Sequence, residues 1–80
     1  MKIILYDKGT PNGKKLYQML DEATERLGIY DQAVMSKDMS KIYNQGVVGS
    51  TILTINNEVV LVDRLPTKSE LEDILNDFIK

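Results

Sequence analysis

The order of hydrophobic periodicities in the first half of the chain restricts the fold most. A short β-rich apolar run, "KIILYD" over residues 2–7, opens it. Such a run reads as a buried central strand. Turn material follows, "KGTPNG", and then a different period. Leu16, Met19, Leu20, Ala23 and Leu27 recur at spacings of three and four, which is one apolar face of a helix. Thr10 is placed as its N-cap and Pro11 as its first helical residue, where the missing N–H costs nothing. Gly28 sits where a left-handed C-terminal residue is wanted. Residues 29–35, "IYDQAVM", give a second and weaker strand. A strand–helix–strand series predicts parallel strands joined by a right-handed crossover.

The second half changes character. Residues 36–46 fit a short helix, with Ser36 as its cap, Met39, Ile42 and Tyr43 as its face and Gly46 as its end. Residues 50–63, "STILTINNEVVLVD", read as a hairpin about Asn56 and Asn57, since asparagine tolerates positive φ. Thr67 and Glu70 have capping-box spacing, with Pro66 ahead of them. Leu71, Ile74, Leu75, Phe78 and Ile79 then mark a final helix face. The order is β-α-β-α-β-β-α, and residues 1–80 are expected to form a single domain. The expected class is α/β: one mixed four-stranded sheet with helices on both faces.

Composition limits the chemistry. The chain has no Cys and no His. Thiolate nucleophiles, imidazole bases and Cys/His zinc sites are therefore excluded. Net charge is −2 with both signs mixed, so no nucleic-acid partner is expected. No charged-then-apolar leader and no membrane-length apolar run is visible, so a cytoplasmic location without a membrane partner is expected. No cofactor is implied.

Three side-chain groupings have both chemical and structural readings. Thr10, Ser50 and Thr51 are hydroxyls with Lys14 as the nearest conceivable base, but neighbouring hydroxyls usually serve turns and caps. Asp21, Glu22 and Glu25, and Asp73 with Asp77, share helix faces and read as solvated surface rather than a cation site. Tyr6, Tyr17, Tyr30 and Tyr43 read as core-edge and surface packing rather than a stacking platform. Val59, Val60, Leu61 and Val62 fall on the fourth strand. Burial by the last helix is one reading, and strand-to-strand association with a second copy or an extended peptide is the other.

The stretch Gly9-Thr10-Pro11-Asn12-Gly13-Lys14-Lys15-Leu16 resembles the opening of small, glutaredoxin-sized thioredoxin-like proteins of prokaryotes, Gly-Cys-Pro-x-Cys followed by Lys and Leu. Gly46-Val47-Val48-Gly49-Ser50-Thr51 resembles the family's stretch around its cis-proline, and residues 65–71, "LPTKSEL", resemble the lead-in to its last helix. The resemblance implies a thioredoxin-like fold, with the strands in the order 2-1-3-4, the first and third helices on one face of the sheet and the short second helix on the other. It sets Thr10 and Gly13 at the two redox cysteines and Thr51 at the cis-proline, so the family's redox activity is expected to be absent. A non-proline cis bond would cost roughly 3 kcal/mol, and a trans bond is expected at Thr51. Cysteines restored at positions 10 and 13 are expected to form a disulfide that reduces substrates poorly without a proline at position 51. The expected function is protein or peptide binding centred on Thr10, Pro11, Asn12, Gly13 and Lys14 and on Gly49, Ser50 and Thr51, with no catalytic residue and no metal ligand. The alternatives are anion or small-ligand binding, or weak catalysis, at the helix start, and a structural homodimer.

Overall fold

The computed structural model describes residues 1–79. In chain order its elements are β1 (Ile3–Asp7), α1 (Pro11–Arg26), β2 (Val34–Ser36), α2 (Ser40–Tyr43), β3 (Thr51–Ile55), β4 (Glu58–Val62) and α3 (Lys68–Ile79). The strands form one sheet in the order β2-β1-β3-β4. β1 pairs parallel with β2 and antiparallel with β3, and β4 pairs antiparallel with β3. This is the α/β architecture that the periodicities predict and the strand order that the resemblance implies.

Alternation along the central strands divides the core. Ile3 and Leu5 of β1 and Leu53 and Ile55 of β3 face α1 and α3, meeting Leu16, Leu20, Ala23, Leu71 and Leu75. Tyr6 and Ile52 face the other way and meet Met39 and Ile42 around α2. The first cluster holds eleven buried residues and the second four, so most of the burial lies under the two long helices.

The local signals hold where the determinants are local. Thr10 caps α1, accepting from the Gly13 N–H at 3.0 Å. Thr67 and Glu70 close a reciprocal box: the Glu70 N–H donates to Thr67 Oγ1 and the Thr67 N–H to Glu70 Oε1. Asn56 and Asn57 take φ of 52° and 68°, the left-handed pair of a tight hairpin turn.

Four expectations need correction. β2 begins at Val34, not at residue 29. The Ile29 N–H still bonds the Thr24 carbonyl, and the Ala33 carbonyl accepts the Tyr17 hydroxyl, so residues 29–33 serve the crossover rather than the ladder. Helix α2 spans only Ser40–Tyr43 and Ser36 does not cap it. The Ser36 hydroxyl instead accepts the Asp38 N–H, while Asp38 Oδ1 takes the Ser40 N–H. On α3, Ile79 lies at the margin of the apolar stripe and is 50% exposed. Tyr30 packs against nothing and is 99% exposed.

Candidate functional site

β1 ends by delivering Asp7 to the opening of α1. Asp7 has no exposed surface. Its Oδ2 accepts the N–H groups of Gly9 at 2.9 Å and Thr10 at 2.8 Å, the side-chain-to-backbone turn that aspartate favours. Gly9, at φ 109°, supplies the backbone reversal this needs. Asp7 Oδ1 accepts two hydroxyl protons, from Thr10 at 2.7 Å and Thr51 at 2.6 Å. The two threonine oxygens lie 3.1 Å apart. Burial pushes the Asp7 carboxyl up, but hydrogen bonds from the Thr51 and Thr10 hydroxyls and from the Gly9 and Thr10 N–H groups outweigh it and leave the pKa lowered. The carboxylate is charged at neutral pH and fully engaged.

Gly13 is explained by the same carboxylate. A Cβ at position 13 would stand 2.1 Å from Asp7 Cγ and 2.2 Å from its Oδ2. No side chain fits there while Asp7 holds its place. A cysteine at 13 would bring its Cβ against Asp7, so the carboxylate would have to move before that thiol could pair with one at 10.

A second carboxylate fixes the facing loop. Asp63 follows β4 with φ 52° and its Oδ1 accepts the N–H groups of Ser50 at 2.7 Å and Thr51 at 2.9 Å. The Asp63 N–H donates to the Thr51 carbonyl, and the Lys8 N–H donates to that of Ser50. The Gly49 carbonyl accepts the Tyr43 hydroxyl at 2.7 Å. A Cβ at Gly49 would come within 3.0 Å of Asp63 Oδ2. No cis peptide bond occurs among the described residues, so Thr51 is entered by a trans bond. Between the two loops lies an open cleft of about 200 Å³, lined by Thr10, Asn12, Leu16, Ser50, Thr51, Asp63, Arg64 and Leu65.

The residues singled out in the sequence thus converge in part. Thr10, Asn12, Ser50 and Thr51 line the cleft, Gly13 and Gly49 are the close-approach positions beside it, and Pro11 and Lys14 are exposed at the helix start. Asp7, Asp63 and Arg64 escape the motif reading. The readable sign of Asp7 is an acid ending an apolar strand two residues before a glycine. The proton acceptor beside Thr10 is Asp7, not Lys14, and a carboxylate with a lowered pKa is a weak base. Asp21, Glu22, Glu25, Asp73 and Asp77 are exposed, and no metal-holding group of acids occurs among the described residues. The valine-rich edge is largely accounted for by packing. A register shift between Leu53 and Thr54 makes Val60 an extra residue, so Val60 and Leu61 both turn toward the α1–α3 core and Val59 toward the α2 side. Val62 alone of the four is mainly outward, 40% exposed.

Fold and site define the class: a β-α-β unit joined to a β-β-α unit, with the site where α1 opens beside the start of β3. The chain belongs to the thioredoxin-domain family, whose model matches residues 1–76. A thioredoxin of Methanothermobacter thermautotrophicus is 30% identical over 76 residues, covering 95% of this chain and 99% of that protein. No solved structure matches the chain. The absence of cysteine argues against thiol–disulfide exchange by this member.

Proposed function

We propose that this chain is a redox-inactive thioredoxin-like domain that works by binding a protein or an extended peptide, in the cytoplasm. One observation carries the reading. The Asp7 carboxylate fills the volume against Gly13 where the family resemblance sets the second thiol, while the cleft beside it stays open. At about 200 Å³ that cleft falls below the ~300–1,000 Å³ usual for enclosed small-molecule sites. It suits one side chain of a partner. Leu16 and Leu65 give it an apolar floor, and Asn12, Ser50 and Arg64 give it polar edges.

The same geometry disfavours an anion at the helix start. The N–H groups of Gly9, Thr10 and Gly13 already have partners and Pro11 has none to offer, which leaves the first turn the Asn12 N–H alone for an anion. Asp7 is the anion at this terminus. A bulged β4 is likewise a poor template for a homodimer.

Titration of the ¹⁵N-labelled chain with a mixed peptide pool, phosphate and glutathione tests the reading. Peptides are expected to shift Thr10, Asn12, Thr51 and Arg64 saturably, and phosphate to leave Thr10 and Gly13 unmoved. Disulfide reduction above background, or saturable shifts at Gly13 with phosphate but none with peptides, would overturn it.

A further inference from the structure

The chain is acidic overall, yet its charges are sorted along the sheet axis. The topology brings the ends of β1 and β4 and the starts of α1, β3 and α3 to one end, where the cleft lies. Lys8, Lys14, Lys15, Arg64 and Lys68 are exposed there. On the α2 side Lys37 and Lys41 flank Asp38. The carboxylates of this end are engaged: Asp7 with hydroxyls and N–H groups, Asp63 with Ser50 and Thr51, Glu70 with Arg64 and Thr67. Among the described residues no ion pair uses Lys8, Lys14, Lys15 or Lys68. The second halves of α1 and α3 and the hairpin carry mostly the opposite sign, with Asp21, Glu22, Glu25, Glu58, Asp73 and Asp77 exposed beside two exposed bases, Lys2 and Arg26, the latter paired with Glu72.

At the start of α1 this sorting opposes helix stability. Helices favour acids at their N-terminal end and bases at their C-terminal end. The first turn of α1 has no acid and Lys14 and Lys15 close it, against that preference, while Arg26 in its last turn follows it; α3 starts on Lys68 but has Glu70 in its first turn. A local rule broken where α1 starts, beside the cleft, points to a surface shaped for recognition.

We infer that the partner segment is acidic: one apolar side chain sits between Leu16 and Leu65, and carboxylates on either side of it meet Lys14, Lys15 and Arg64. This deepens the binding function proposed above and rests on it. Charge complementarity favours protein over nucleic acid here. Asp63 and Glu70 interrupt the basic surface, and no aromatic side chain lines the cleft to stack a base.

Short peptides with one central leucine, flanked by Glu, by Ser or by Lys, are titrated into the labelled chain beside an oligothymidine. The Glu-flanked peptide is expected to shift Thr10, Asn12, Arg64 and Leu65 and to bind about tenfold or more tighter than the Ser-flanked one. That preference should fade as salt rises from about 0.05 to about 0.5 M, because surface charges are then screened. Lys14→Glu with Lys15→Glu, both exposed, should abolish it. Equal binding of the Ser- and Glu-flanked peptides at these residues overturns the charge preference and leaves the binding function standing. Failure of every peptide at the cleft overturns both. Tighter binding of the oligothymidine, or head-to-tail self-association without any probe, overturns the acidic-protein assignment.

Discussion

Asp7 ends β1 where the turn into α1 begins. It is buried, charged and surrounded by four donors drawn from the β1–α1 turn and from Thr51, 44 residues away. Removing the charge leaves donors without acceptors, so Asp7→Asn is expected to destabilise the fold by about 2–4 kcal/mol at neutral pH, read by urea denaturation. The pH dependence has a fixed sign. The folded-state pKa of Asp7 is lowered, so its stabilisation is complete above the ordinary carboxylate value of about 4 and is lost as pH falls through the folded value. The gap between parent and Asp7→Asn should be flat above about pH 5 and shrink below it. Asp38, through its bond with the Ser40 hydroxyl, and Glu70, through Arg64, are lowered too, and the Asn variant separates Asp7 from both. A gap that held constant into strong acid would contradict the assignment. Thr51→Val removes one hydroxyl bond to this carboxylate and should cost about 1.5–3 kcal/mol.

Elements were legible where neighbours in sequence decide them. The hairpin turn needs only two asparagines in a left-handed conformation, and the last helix needs only its box and its stripe. Thr67→Ala should therefore lower stability by about 1 kcal/mol, and Asn57→Gly, relieving φ of 68°, should raise it by a few tenths, both read from thermal melts. The misplaced elements depend on distant contacts. Residues 29–33 look like a strand by composition, but the chain must first leave α1 and cross to the sheet edge, and Tyr17 claims the Ala33 carbonyl on the way. The site was half legible for the same reason. Thr10 and Pro11 announce a helix start locally, whereas the partnership of Asp7 with Thr51 and that of Asp63 with Ser50 exist only once the sheet has formed. Hydrogen exchange should follow this division, with the three residues of β2 losing protection before β1 and β3.

Across the whole molecule, one buried charge fastens two loops. A chain of this size has little stability to spare, so the fastening matters to the fold as well as to the cleft beside it. The thioredoxin-domain scaffold is kept, and the space against Gly13 belongs to a carboxylate. Global unfolding free energies of Gly13→Ala, measured in the parent and in an Asp7→Ala background, test that replacement most directly. In the parent, a Cβ 2.1 Å from Asp7 Cγ should destabilise by more than about 2 kcal/mol or prevent folding. In the Asp7→Ala background the same change should be neutral or stabilising by up to about 1 kcal/mol, as alanine normally is over glycine inside a helix. An equal cost in both backgrounds would contradict the account.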